Sequence, residues 1–421
     1  MPNAIHQQSS ANPLENAPRA VSFCQNRDAA AALLRLHGIP SLRKPEQHAA
    51  RFSRRYLVRV RDYQVWQIRR EEQEHVWLHP ALPDQRERVL QEVDANSMDQ
   101  ESKWVKQLAV RSIYALGLTA GEVEIGVRTP TRAHVLRVRP QAQEPQVAEA
   151  EWFALPQPSP SGQPVVLGAD PEFMLLDEEG RLVLASRFFP RHGLIGCDAA
   201  RYREEPLPHH HPIAEIRPDP AEDPAVLLHC LYEALRAAQE RVPAPSLRWL
   251  AGGMPFRGYP IGGHIHISGA PLHFRLLRTL DAYLALPLVL IEDEGCIQRR
   301  PRYGFLGDFR IKEHGGFEYR TLPSWLISPV VAGGVLALAK LVAESYDRLD
   351  GEIAAIPHVQ SAYYRGDKQK LRPLVNRLLA EIKTLPLYAR YKPMLDGYFA
   401  CLLRDSPWPA DQDFLANWGL R

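Results

Sequence analysis

The sequence has little excess charge of either sign. Its 51 Lys and Arg against 49 Asp and Glu leave +2 over 421 residues, so nothing electrostatic points to nucleic acid or to an anionic membrane as a partner. Cysteine is scarce. Cys24, Cys197, Cys230, Cys296 and Cys401 are odd in number and scattered, with no C-x-x-C. That excludes a disulfide framework and fits reduced, mostly buried thiols in a cytoplasm. The polar stretch 1–17 has no apolar signal core, and no run approaches the length of a membrane span. A soluble, cytoplasmic chain is the expectation. What is present is ordinary globular composition, 45% hydrophobic and 24% charged, long enough for two or three domains.

Residues 1–18, rich in Gln, Asn, Ser and Pro, read as a disordered tail. A first domain follows over 19–140, with a helix at 26–36 stopped by Gly38 and Pro40, strands at 56–60 and 64–68, a helix at 101–116, and two alternating segments at 122–127 and 134–138 around the turn-like Thr129-Pro130-Thr131. From 141 to 164 the texture changes to Pro, Gln, Ala and Ser, which reads as an extended linker. The second domain, 165–421, opens with a strand at 165–176 and a hairpin turn at Asp177-Glu178-Glu179-Gly180. Helices are expected from Pro224 with Asp223 as N-cap, over 271–294 with a kink at Pro287, over 330–349, 368–383 and 391–403, and a further strand near 316–322. Both domains are α+β.

Four short stretches share one design. Asp170 and Glu172 are two apart in Gly168-Ala169-Asp170-Pro171-Glu172-Phe173, and so are Glu215 and Arg217 in Ile213-Ala214-Glu215-Ile216-Arg217-Pro218. The same spacing separates His264 from His266 in Gly262-Gly263-His264-Ile265-His266-Ile267-Ser268, and Glu318 from Arg320 in Phe317-Glu318-Tyr319-Arg320. On a strand each pair shares one face while the spacers, mostly apolar, fill the other. If these strands are neighbours, one face collects carboxylates, imidazoles and guanidiniums, which cannot be a dry core. Hard oxygen ligands with imidazole suit Mg²⁺ or Mn²⁺ carrying phosphate, and arginines on the same face neutralise transferring phosphoryl oxygens. The chemistry indicated is metal-assisted phosphoryl transfer. Singly, each stretch has a plainer explanation: Glu172 as a carboxylate beside a turn, Glu318 and Arg320 as a cross-strand ion pair, the two histidines as residues facing a polar layer. His209-His210-His211 reads as a loop, because adjacent residues cannot all face one ion.

In this order, and with Tyr303-Gly304, Asp308-Phe309-Arg310 and His314-Gly315-Gly316 between them, the motifs resemble the phage-type carboxylate–amine ligases of the glutamine synthetase and glutamate–cysteine ligase fold, over about 165–328. The resemblance implies a curved antiparallel catalytic sheet flanked by helices. It also implies that ATP phosphorylates a carboxylate and that an amine displaces the phosphate to form an amide. It carries metal ligands onto Asp170, Glu172, Glu215, His264 and Glu318. His266 matches the histidine near the nucleotide phosphates, with Ser268 beside it. Arg310 and Arg320 match arginines that handle the γ-phosphate and acyl phosphate. Gly262, Gly263 and Arg217 are placed at the carboxylate substrate. Asp198 is a candidate for binding the amine or, equally, a turn aspartate.

The first domain is similar to the ATP-grasp fold in Asn26-Arg27 with Gly38-Ile39-Pro40, and in 115–125 followed by 135–140. Where that fold ends in Glu-x-Asn-x-Pro with Glu and Asn on Mg²⁺, this chain has Arg137 and Arg139, and two cations cannot hold a cation. The expectation is a smaller, degenerate ATP-grasp-like domain that binds or scaffolds; ATP turnover by residues 1–150 alone would contradict it. The whole reads as an ATP- and Mg²⁺- (or Mn²⁺-) dependent ligase of small-molecule or peptide carboxylates and amines, with a homo-oligomer left open. Two competitors remain: an inactive ligase-like protein that binds a peptide or partner, and a metal-dependent hydrolase, which leaves Arg310 and Arg320 without a role.

Overall fold

Alternation of charged and apolar residues in Arg55-Tyr56-Leu57-Val58-Arg59-Val60 makes a strand buried on one side only, and that strand centres the first of two sheets. The computed structural model describes residues 16–42, 52–73, 88–97, 99–129, 132–141, 162–199, 210–313, 315–404 and 406–421. Most of the expected linker and the expected tail up to residue 15 lie outside these. The chain divides into two compact units near Leu155.

In the first unit, helices α1 (Pro18–Gln25) and α2 (Arg27–Leu36) precede strands β1 (Arg54–Arg61), β2 (Gln64–Gln73) and β3 (Arg88–Val93). Helix α3 (Gln100–Ala115) and strands β4 (Ala120–Thr129) and β5 (Arg132–Pro140) complete it. The strands form an antiparallel sheet in the order β3-β2-β1-β4-β5. Leu108, Ala109 and Ile113 of α3 are buried, as are Val58, Val60, Val123 and Ile125 on the strands that α3 packs against. Ordered structure begins earlier than residue 19. The buried Asn16 side chain takes the Thr119 and Ala120 N–H groups at 2.7 and 3.0 Å and donates to the Ala120 carbonyl at 2.8 Å, so the start of β4 holds Asn16, a residue that composition assigns to a tail. Strand β3 went unforeseen because its charged sequence shows no apolar face.

Helix α3 starts at the Asp99 N-cap, whose carboxylate accepts from Ser102 N at 2.9 Å. Asp99→Ala should lower the stability of the chain by about 1 kcal/mol, read from denaturant midpoints. No shift in midpoint would mean that the cap contributes nothing.

The second unit is built on β6 (Val166–Leu176). With β7 (Leu182–Val183), β8 (Ile195–Asp198), β9 (Ile213–Ile216), β10 (Arg248–Leu250), β11 (Gly263–Ser268), β12 (Phe309–Ile311) and β13 (Phe317–Tyr319) it makes a sheet ordered β12-β13-β11-β6-β9-β8. Strands β7 and β10 pair with β6 beside this path. Every pairing is antiparallel, as expected. Behind the sheet lie helix α4 (Pro224–Arg241), capped by Asp223 through Ala225 N at 2.9 Å, and helix α6 (Pro329–Ser345), capped by Ser328.

Between them, helix α5 (Phe274–Leu280) passes into a wide turn at Asp281–Ala285 before a last turn at Leu286–Leu288. The expected kink at Pro287 is thus taken up one turn earlier. Proline has no N–H and crowds the carbonyl four residues back, so the backbone loosens around Tyr283. Helix α6 corrects one expectation. The stretch Pro329–Arg348 is long and apolar enough to cross a membrane. In this fold it is a core helix, buried along most of its length, with Lys340 donating to the Val165 carbonyl and pairing with Glu344 at 3.0 Å.

Candidate active site

The four motif strands are consecutive neighbours, β13-β11-β6-β9. Register does the rest. His264 is opposite Asp170, Glu172 is opposite Glu215, and His266 is opposite both Glu318 and Gly168. On the far face Ala169, Phe173, Ala214, Ile216, Ile265, Ile267, Phe317 and Tyr319 are buried. The near face carries the polar members of the four motifs, and most are also buried: Asp170, Glu172, Glu215, His264, Glu318 and Arg320. His266 is half-buried at the edge of this group.

Two sets of three side chains converge closely enough to hold an ion. One is Asp170, Glu215 and His264; the other is Asp170, His266 and Glu318. Asp170 belongs to both. His264 Nδ1 lies 3.0 Å from Asp170 Oδ1 and 3.4 Å from Glu318 Oε1, and His266 Nε2 lies 3.1 Å from Asp170 Oδ2. Asp170 Oδ1, His264 Nδ1 and His266 Nε2 are buried and make no hydrogen bond of good geometry. Ligand atoms without hydrogen bonds, in two sets that each hold two carboxylates and one imidazole, match a hard divalent cation. Among the described residues these are the groups able to hold a metal.

Electrostatics agree. Burial alone would push the Asp170 carboxyl up, but His264 and His266 hold it well below the usual carboxylate range. Burial would lower His264, yet Asp170, and then Glu172 and Glu318, push the imidazole up to about 9. Glu215 is raised by burial and by the negative charge of Asp170 and Glu172. A pocket that raises both an acid and a base is one short of positive charge.

Cations ring Glu318. Arg320 Nε is 3.0 Å from Glu318 Oε1, and Lys312 Nζ and Arg310 Nη1 are 2.7 and 3.3 Å from Oε2. Lys312 escaped the sequence reading, although it repeats the two-residue spacing beyond Arg310. Arg217 pairs with Glu215 and reaches the Arg191 and Gly193 carbonyls at 3.4 and 3.5 Å. Ser268 closes β11 on the face of His266.

Asp198 ends the edge strand β8 on the Glu215 face and caps Ala199 N at 2.8 Å, so the turn explanation has a contact to show. Of the two glycines, Gly262 is on the site side, where a Cβ would meet His264 Nε2 at 2.6 Å and Tyr303 Oη at 2.8 Å. Gly263 faces the other way, where a Cβ would meet the Trp325 indole at 2.5 Å. Glu172 is in neither ion set. Its Oε2 accepts from Gly262 N at 2.5 Å, and its carboxylate faces the Tyr303 hydroxyl at 3.4 and 3.5 Å.

Residues 167–420 match the model of a family described as phage phiEco32-like COOH.NH2 ligase-type 2. The chain belongs to this family. The whole of the described site lies inside the matched range. No curated protein matches it. Among solved structures the chain is similar to GmaS without ligand, at 16% identity over 65% of this chain and 78% of that one, with a TM-score of 0.32. It is also similar to a bifunctional glutathione synthetase from Pasteurella multocida, at 11% identity over 56% and 47%, TM-score 0.34. A third is the ATP-grasp ligase PsnB complexed with minimal precursor, at 18% identity over 31% and 56%, TM-score 0.23. The chain spans about half the length of these last two.

Proposed function

We propose that the second unit carries out ATP-dependent ligation of a carboxylate to an amine through an acyl phosphate, with Mg²⁺ or Mn²⁺ at the carboxylate–histidine face and an amino acid or peptide as substrate. One observation supports this most: two ion-holding sets share Asp170 and stand directly beside Arg310, Lys312 and Arg320. Asp170, Glu215 and His264 would hold one ion, and Asp170, His266 and Glu318 a second. Bound there, divalent ions neutralise the nucleotide phosphates and polarise the transferred phosphoryl group.

The chain's own residues do the remainder. The guanidiniums of Arg310 and Arg320 and the Lys312 ammonium offer donors to oxygens that gain charge as the γ-phosphoryl passes to the substrate carboxylate. The amine nitrogen then attacks the acyl carbon, the C–O bond to phosphate breaks, and inorganic phosphate leaves. Buried walls keep water from hydrolysing the acyl phosphate first. In this scheme Asp198 and Arg217, at the β8–β9 end, would meet the amine and the carboxylate.

For the first unit we propose a degenerate ATP-grasp-like domain. Arg139 lies 2.8 Å from Glu122 and 3.9 Å from Glu124, so the carboxylates of β4 are already neutralised by cations.

The test is phosphate release from ATP and Mg²⁺ with pools of amino acids and short peptides. Release that depends on both a carboxylate and an amine supports the reading; ATP binding with no ADP formed with any acceptor turns it into that of a binding protein. Lys312→Gln should weaken ATP binding by about 10- to 100-fold, since a charge-assisted hydrogen bond contributes roughly 1.5–3 kcal/mol. An unchanged KM for ATP removes Lys312 from the phosphate site.

A further inference from the structure

Tyr303 is a side chain for which neither the motif spacing nor the ligand sets provide a task. It is 1% exposed, on the turn between the short helix Gly295–Arg299 and β12. Its ring is clamped, with the Arg299 guanidinium 4.6 Å and the Arg320 guanidinium 5.6 Å from the centroid. Arg299 is itself fixed by the Thr321 and Leu322 carbonyls at 2.8 and 2.6 Å. Gly304 follows at φ +76°, where a Cβ would strike the Arg299 guanidinium and come within 2.5 Å of the Thr321 carbonyl. So much fixed structure holds the phenol in one place.

That place is between two functional groups. The Tyr303 hydroxyl is hydrogen-bonded to His264 Nε2 and faces the Glu172 carboxylate. At the other end of the same imidazole, Nδ1 points at Asp170 and Glu318. A neutral imidazole carries its proton on one nitrogen and a lone pair on the other, and its hydrogen-bond partner decides which. If Tyr303 Oη accepts Nε2–H, the lone pair is on Nδ1, aimed into the ion set. The phenol O–H then donates to Glu172, which also accepts from Gly262 N. Ligand histidines are commonly oriented by a carboxylate on the far nitrogen; here a tyrosine stands between the two.

Resting on the metal-site reading above, we propose that Tyr303 is a positioning residue that sets the tautomer and orientation of His264 for a divalent cation, and that Glu172 acts through Tyr303 rather than on the ion. Alone among the carboxylates assigned to metal by family resemblance, Glu172 is thereby moved out of the ligand set.

The experiment is a Mn²⁺ titration of the full chain, with free Mn²⁺ read by EPR. Tyr303→Phe keeps the ring between its two arginines and removes only the hydroxyl. It should weaken Mn²⁺ binding by about 10- to 100-fold, with the metal-free melting temperature little changed. Glu172→Gln should also weaken it, and the double variant should bind no worse than the weaker single one, because both act along one chain of hydrogen bonds. Mn²⁺ binding by Tyr303→Phe as tight as in the wild type overturns the proposal. Additive losses overturn the placement of Glu172. Should the variant not fold, ¹⁵N-histidine spectra of the wild-type chain with Mg²⁺ decide: a proton on Nε2 of His264 supports the proposal and a proton on Nδ1 ends it. A wild-type chain that binds no Mn²⁺ refutes the metal site itself, which is a distinct failure.

Discussion

Replacing Glu318 by glutamine should cost on the order of 10³-fold in turnover, the largest effect of any single substitution in the site. The carboxylate is 1% exposed and has two tasks at once. It faces His264 and, in the proposed scheme, helps Asp170 and His266 hold an ion. It also gathers Arg310, Lys312 and Arg320 onto one spot beside that ion. Glutamine preserves volume, removes the charge, and puts an N–H where three cations expect an acceptor. The fold should survive with a cost. Half-exposed Arg310 can turn to water, but the Arg320 side chain is 7% exposed and cannot, so a loss of a few kcal/mol is expected from one under-compensated buried cation. Turnover must therefore be measured on material shown by circular dichroism to be folded. Glu318→Asp keeps the charge and shortens the reach, and should retain more activity than Glu318→Gln. Turnover of the glutamine variant within a few-fold of wild type would dismantle the site assignment, whatever happened to stability.

Why Glu318 could be singled out from sequence, and Tyr303 could not, is a matter of periodicity. Strand geometry forces alternation, so Asp170 with Glu172 and His264 with His266 announce their shared face wherever the strands lie. That the four strands would be neighbours was a supposition; the order β13-β11-β6-β9 scrambles chain order and is fixed by long-range pairing that no local pattern encodes. Alternation also says which face a side chain takes but not which partner it finds. Glu172 is on the expected face, and its carboxylate goes to Gly262 N and Tyr303. Gly262 and Gly263 look equivalent in sequence, yet one makes room for His264 and the other for Trp325. Tyr303 is on a turn, where no period operates, and its role is visible only through two nitrogens of one ring. Lys312 stands just past a three-residue strand, too short for a pattern. The same holds in the first unit: its alternating apolar strands are evident from sequence, and β3, lacking an apolar face, is not.

The metal-free protein should lose stability as pH rises from 7 to 9.5, and Mg²⁺ should restore it by an amount that grows over the same range. Without an ion the positive charge nearest to Asp170 is the His264 proton, 3.0 Å away, and Asp170, then Glu172 and Glu318, push its pKa from 6.5 to about 9 against the effect of burial. A folded-state pKa above the unfolded one contributes stability that is complete below about pH 6.5 and lost as pH passes 9. Glu215, raised by burial and by Asp170 and Glu172, works in the same direction: it keeps a proton longer when folded, and the site becomes more crowded with negative charge once that proton goes. Asp170, lowered, contributes stability that is lost only in acid, outside this window. A divalent cation competes with these protons, so its affinity rises with pH until His264 is neutral and then levels off. Its stabilisation follows the affinity through mass action. Melting temperatures in EDTA and in excess Mg²⁺, taken across pH 6.5–9.5, should diverge by several degrees toward the alkaline end. Parallel curves would show that the proton on His264 and the ion do not occupy the same space, and the Asp170–Glu215–His264 set would have to be given up as a metal site.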